Sequence, residues 1–186
     1  MNSPGSPQSG AVASEARVRL EAMYRGELKA VYGFLWRLGA REKEMEDLAH
    51  DVFLTAARRL DTYDPSRPAR PWLLGIAFRV FSQARQRKQA TEELPELLED
   101  TSPGPEAAVA LRQARALLQR ALESLPEVRR ATFVLHELEG LSVNEISEAM
   151  DVPAPTIYSR LKLARDEVAQ AVSRLKLAQE RQEATR

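Results

Sequence analysis

The chain has no cysteine among its 186 residues. That excludes disulfides and thiolate-held zinc, and it fits a reducing compartment such as the cytoplasm. Aromatic residues are scarce at 6%, while hydrophobic residues reach 44%, a balance that suits helical globules rather than a disordered chain. No apolar run approaches the ~18 residues that a membrane-spanning helix needs, so no membrane insertion is expected. The first residues, MNSPGSPQSGAVASEA, lack the basic-then-apolar pattern of a signal peptide. Their Pro, Gly and Ser content predicts a mobile tail. Strand-like alternation and internal repeats are absent. Chemistry is missing too: there is no Gly-rich phosphate loop and no serine elbow. The two histidines, His50 and His136, fall on separate predicted helices without a neighbouring ligand pair. The sequence therefore points to no enzyme, no cofactor and no metal.

Net charge is also lacking, since 27 cations balance 27 acids. The balance hides a segregation. From Arg58 to Lys88 eight cations face two acids, a net of +6, and from Thr91 to Glu106 six acids face no cation, a net of −6. Clustering, not total charge, sets the field that a polyanion feels.

What is present is helical periodicity. Leu20, Tyr24, Leu28, Val31, Leu35 and Leu38 alternate spacings of four and three and predict a helix of about 20 residues, which Gly39 can end. A second helix is expected over Glu42–Leu60, buried through Met45, Leu48, Ala49, Val52, Phe53 and Ala56. At about 100° per residue, Leu54 then falls in the middle of its polar face, flanked by Asp47, His50, Asp51 and Arg58. A large apolar side chain ringed by charges is how a small protein-docking site looks in sequence, although single exposed leucines are also common. Asp61–Arg70 (DTYDPSRPAR) reads as a loop, and Pro71 starts a third helix running to Lys88. Its apolar side holds Leu73, Ile76, Ala77, Val80 and Ala84. Its opposite arc carries Gly75, Arg79, Ser82 and Gln86, with Trp72 and Gln83 at the border. Thr91–Pro105 is an acidic linker. Helices follow over Glu106–Glu123 and Glu127–Leu138, parted by Leu125-Pro126.

The stretch Leu125–Arg165 is the most informative. Ser142 with Glu145 three residues on has the spacing of a capping box. A short helix apolar at Val143, Ile146 and Met150 leads to Asp151, a residue that tolerates the left-handed conformation. Pro153 and Pro155 suit the first turn of a new helix, which buries Ile157, Leu161 and Ala164 and runs past Arg174 to a frayed end. Its outer arc carries Thr156, Ser159, Arg160 and Lys162, long or polar enough to reach phosphates and base edges in a major groove. A plain helical hairpin shares the capping box, but not the combination of short helix, tight turn and basic second helix.

Three motifs occur in fixed order: MEDLAHDVFL at 45–54, PWLLGIA at 71–77, and LP…EGLSVNEISEAMDVP…TIYSRLKLAR. In that order and spacing they resemble the extracytoplasmic-function (ECF) sigma factors, small two-domain bacterial subunits that direct RNA polymerase to promoters. The resemblance implies an all-α fold of two small helical domains. Residues 1–16 would be a disordered tail, 17–89 sigma region 2, 90–109 the acidic linker, 110–175 the sigma region 4 helix-turn-helix, and 176–186 a charged extension. It implies core polymerase docking through Asp47, His50, Asp51 and Leu54, with His50-Asp51 standing where Gln-Glu is commoner. Contact with the −10 element falls to Arg67, Arg70, Trp72, Arg79, Gln83, Gln86 and Arg87. There, Ala77-Phe78-Arg79 replaces the frequent Ala-Arg-Asn, and Gln83 a common Asp. Reading of the −35 duplex falls to Thr156, Tyr158, Ser159, Arg160, Lys162 and Arg165, with Pro155 where Gly is frequent and Tyr158 where Lys or Arg is. The partners implied are core RNA polymerase, promoter DNA and, as for many members, an anti-sigma factor. The alternative is a helix-turn-helix regulator that acts without polymerase, for which Leu54 and its acidic surround would have no use. A helical enzyme or adaptor fits less well, given the basic third helix.

Overall fold

The structure is a computed structural model that describes residues 8–89 and 106–184, with side chains placed over 14–88 and 114–181. The described residues form helices α1 (Gln8–Leu38), α2 (Glu42–Arg58), α3 (Ala69–Gln89), α4 (Glu106–Glu123), α5 (Glu127–Phe133), α6 (Val143–Met150) and α7 (Ala154–Ala184). A 3-10 turn, Leu60–Thr62, follows α2, and α5 continues into a π-helical turn, Val134–Leu138. No strand occurs among the described residues. The acidic linker core, 91–105, lies outside them.

α1 through α3 make one helical set and α4 through α7 the other. The two sets do not hang apart on a tether. α3 packs on α6, and α1 on α4 and α5, so a continuous buried cluster runs from Met23 and Phe34 through Leu73 and Ile76 to Ile146, Ile157 and Leu161.

Several expectations are corrected. α1 begins at Gln8, so residues 8–16 are helical rather than a loose tail. Ala, Glu and Arg dominate 11–17, and extending a formed helix fixes little per added hydrogen bond. On α1, Met23 is buried whereas Tyr24 is 47% exposed. α3 starts at Ala69, two residues before Pro71, whose missing N–H falls among the first-turn orphans. α7 starts at Ala154, leaving Pro153 just outside and Pro155 inside the first turn, and it runs past Arg174 to Ala184, through most of the charged extension.

Two helix ends use the same device. At Gly39, with φ +94°, Ala40 N–H donates to Leu35 O at 3.0 Å and Gly39 N–H to Trp36 O at 2.9 Å. At Asp151, with φ 56°, Val152 N–H donates to Ser147 O at 3.0 Å and Asp151 N–H to Glu148 O at 3.3 Å. Both are Schellman-type stops that satisfy orphan carbonyls. Gly39 is further constrained, because a Cβ there would lie 3.0 Å from the Arg130 guanidinium. Gly39→Ala should therefore lower stability by about 1–2 kcal/mol. Gly26→Ala, helical with nothing within 4 Å of the new methyl, should raise it by about 0.5–1 kcal/mol. Urea unfolding followed by circular dichroism checks the opposite signs.

Candidate polymerase-docking and nucleic-acid interfaces

α2 buries Leu48, Ala49, Val52, Phe53 and Ala56. The outer face then presents Leu54, 39% exposed, with Asp47, His50, Asp51 and Arg58 exposed around it. The apolar surface extends onto α1, where Tyr24 meets Phe53 edge-on at 4.8 Å between ring centroids. Periodicity placed Tyr24 in the core, so this extension was not foreseen.

The loop between α2 and α3 is tied down by its own residues. Tyr63 lies tilted over Trp72, ring centroids 5.1 Å apart, and its hydroxyl donates to Arg67 O at 2.6 Å. The Asp64 carboxylate accepts from both the N–H and the hydroxyl of Ser66, and these bonds hold it below the usual aspartate range. Arg70 is paired with Glu27 at 2.7 Å and Arg67 with Glu148 at 2.6 Å.

On α3, Arg79 lines a cleft of about 90 Å³ together with Thr55, Arg59, Ile76, Val80 and Gln83. Burial first, then the Arg59 guanidinium, lower its pKa, and the Asp151 carboxylate partly offsets them. Gln83, Gln86 and Arg87 are exposed and Trp72 is half-buried. The arc shared by Gly75, Arg79 and Ser82 is not the open surface that its polarity suggested. Gly75 is buried against α6, and the Ser82 hydroxyl donates to the Glu127 carboxylate.

The helix-turn-helix forms as its residues dictate. Ser142 N–H donates to Glu145 Oε2 at 2.8 Å, and Glu145 N–H donates back to Ser142 Oγ at 3.3 Å. Ile157, Leu161 and Ala164 are buried. On the outer arc, Tyr158 is 63% exposed, Ser159 and Lys162 are exposed, and Thr156 and Arg160 are half-buried. The Ser159 hydroxyl donates to its own helix, at Pro155 O and Thr156 O, which leaves its oxygen lone pairs outward. Arg165 is held by Glu137 at 2.6 Å. Leu163 is 49% exposed beside these polar groups; its place two residues from the buried Leu161 is the sequence signal for that outward position.

His50 is exposed, and His136 Nδ1–H donates to Leu141 O at 2.8 Å. Among the described residues no group of three or more His, Cys, Asp or Glu is placed to hold a metal ion. No described helix is long and apolar enough to cross a membrane.

The outer face of α2 and the outer arc at the start of α7 are thus exposed, whereas the arc of α3 around Gly75 is covered. Residues 23–91 match the family model of sigma-70 region 2, and residues 115–168 that of sigma-70 region 4. The RpoE ECF sigma factor of Cereibacter sphaeroides is 31% identical over 149 residues, covering 77% of this chain and 80% of its own. The chain belongs to the ECF RNA polymerase sigma factors. The Escherichia coli sigma-E factor is 30% identical over 144 residues, covering 71% and 75% of the two chains. For SigE of Mycolicibacterium smegmatis, also 30% identical, this sigma factor spans 59% of the relative's length. The fold is likewise that of RpoE from Bartonella quintana, solved with the anti-sigma factor NepR (TM-score 0.67, 22% identity, 82% of this chain and 96% of that one). It also matches CnrH, solved with the cytosolic domain of CnrY (TM-score 0.63, 21% identity, 88% and 96%). As a sigma factor, the protein directs RNA polymerase to promoters at transcription initiation.

The capping box makes the sigma region 4 unit acid-sensitive. Ser142 bonds hold the Glu145 carboxyl below the ordinary glutamate value. A carboxylate with a depressed folded-state pKa stabilises above its unfolded pKa, and that contribution is lost as pH falls through the folded value. Glu145→Gln keeps a reach-back to the Ser142 N–H but removes the titration. The variant should lose less stability than the native chain on acidification through the carboxylate range, as read from unfolding midpoints at stepped pH.

Proposed function

We propose that this sigma factor divides its task among three surfaces, over units spanning residues 17–89 and 110–175, with no covalent chemistry of its own. The outer face of α2, with Asp47, His50, Asp51 and Leu54, docks on core RNA polymerase. The α2–α3 loop and α3, with Arg67, Arg70, Trp72, Arg79, Gln83, Gln86 and Arg87, hold the opened −10 element. The exposed start of α7, with Thr156, Tyr158, Ser159, Arg160, Lys162 and Arg165, reads the −35 duplex. Leu54 carries this reading: it stays exposed amid acids on a helix whose other large aliphatic side chains are buried or packed against the core, and a DNA-only regulator has no use for it. Such a protein works in the cytoplasm, where polymerase and promoters are. Two relatives of the same fold were solved with partner proteins, one of them a named anti-sigma factor. We extend that mode of restraint to this chain.

Physically, cations grip the backbone while an unstacked base gains about 1–3 kcal/mol on an aromatic or guanidinium plane. In this reading the Trp72 ring and the Arg79 guanidinium are the candidates for that use, Trp72 half-buried beside Tyr63 and Arg79 half-buried in its cleft. Run-off transcription with core polymerase, with and without this protein, tests the whole reading; no promoter-dependent transcript on any genomic template would sink it.

Leu54→Ala and Asp51→Arg should leave the protein folded and weaken core binding, Leu54→Ala by about 2 kcal/mol if it behaves as a hot spot. Titration of labelled core polymerase measures this, and unchanged affinity in both variants removes the surface from the mechanism.

Arg160→Ala should cost about 1–3 kcal/mol of promoter affinity on closed and pre-melted templates alike, because the −35 duplex is present in both. The Arg79→Ala defect should shrink on the pre-melted template if Arg79 assists opening. Permanganate reactivity of unpaired thymines separates the two; equal defects on both templates would show that the labour is not divided this way.

A further inference from the structure

Thr55 and Arg59 stand four residues apart at the end of α2, and Arg79 and Gln83 stand four apart on α3, so each helix presents its pair on one side. The two pairs meet across the cleft of about 90 Å³, which Ile76 and Val80 also line. Two guanidiniums, one hydroxyl and one carboxamide thus converge on one place. Among the described residues, none of these four side chains makes a hydrogen bond or an ion pair. Other cations of the basic block are engaged: Arg67 with Glu148, Arg70 with Glu27, Arg85 with the Gly39 carbonyl. Bringing two cations together and half-burying one of them is unfavourable without a counter-charge. Burial and the Arg59 guanidinium both lower the Arg79 pKa, and the Asp151 carboxylate, which offsets part of this, forms no ion pair with it.

The donors of the cleft select the counter-charge. A terminal phosphoryl group carries close to two negative charges at neutral pH and presents three acceptor oxygens. That matches two guanidiniums, each with a planar fork of N–H groups, and two neutral donors. An internal phosphodiester brings one charge and two free oxygens, and leaves part of the donor set idle. We propose that the Arg59–Arg79 cleft is a binding site for a terminal phosphate, as borne by inorganic phosphate or a nucleoside monophosphate. The two guanidiniums supply the charge, and the Thr55 hydroxyl and the Gln83 amide the remaining donors. Arg79 and Gln83 are also assigned above to the −10 element, so a phosphate seated between them excludes promoter DNA from these residues. That consequence, unlike the site itself, rests on the −10 assignment.

The test uses the full chain at constant ionic strength, with binding read by titration calorimetry. The probes are inorganic phosphate, thymidine 5′-monophosphate, thymidine, and thymidylyl-thymidine, whose phosphate is an internal diester. The monophosphate should bind at one site about 10-fold or more tighter than the dinucleotide, the factor that one charge-assisted hydrogen bond supplies. Inorganic phosphate should displace it, and thymidine should not bind. Arg59→Ala and Arg79→Ala should each weaken the monophosphate by about 10-fold or more, with helicity retained by circular dichroism. Arg58→Ala removes an exposed cation next to Arg59 but outside the cleft, and should change the affinity by less than about 2-fold, as expected of a screened surface charge. Equal affinity for monophosphate and dinucleotide, or no binding of either, overturns the site. An Arg58→Ala loss as large as that of Arg59→Ala marks diffuse attraction and overturns it too. Permanganate reactivity at a promoter, with and without saturating phosphate, tests the consequence. Reduced opening supports exclusion of DNA; confirmed binding that leaves opening unchanged keeps the phosphate site and removes Arg79 and Gln83 from the −10 surface.

Discussion

Arg130, on α5, holds the carbonyl ends of two helices from opposite halves of the molecule. Its guanidinium donates to Leu38 O at 2.6 Å, at the end of α1, and to Glu123 O at 2.8 Å and Leu125 O at 3.0 Å, at the end of α4. Those carbonyls have no intrahelical partner and lie at the negative ends of two helix dipoles, so one cation answers two requirements at once. Burial lowers the Arg130 pKa and Glu123 partly opposes the shift; an arginine keeps its proton regardless. Arg85 reaches the neighbouring Gly39 carbonyl, and Arg37 bonds Glu139 at 2.7 Å across the same seam. With the end of α1 fixed against α4 and α5, the direction in which α3 meets α6 is set, and the packing of one half on the other follows.

Much of this was legible in the residues. The buried stripe of α2, the exposed Leu54, the Ser142–Glu145 box and the left-handed Asp151 each follow from local rules, and those rules act within one helix or one turn. What escaped the sequence depends on the other half of the chain. Periodicity states that Gly75, Arg79 and Ser82 share a face, but a polar face that meets water and one that meets another polar surface read identically. Arg130 looks like any surface arginine until the ends of α1 and α4 are brought to it. The π-helical turn after Phe133, with Leu141 N–H reaching back to Leu135 O at 3.0 Å, has no compositional mark.

The chain's neutrality takes on a spatial meaning. Along the sequence it is a basic block followed by an acidic one. In the fold, the partners of the basic block come from elsewhere: Glu27 for Arg70, Glu148 for Arg67, Glu127 for Ser82. The cations of the block thus stay clustered in sequence while acids from other elements meet some of them in space, and it is this local arrangement rather than the total that sets the surface field.

α7 runs 31 residues without a glycine, and with Pro155 only in its first turn, so it contains none of the usual sites at which a helix bends. At about 1.5 Å per residue it is a rod of roughly 46 Å, with the residues proposed to read the −35 duplex at one end and Leu177 exposed near the other. A tilt of about 10° at the DNA end displaces the distal end by about 8 Å, on the same helical rise. The angle at which the recognition helix lies in a groove and the position of the chain's far end are therefore a single mechanical variable.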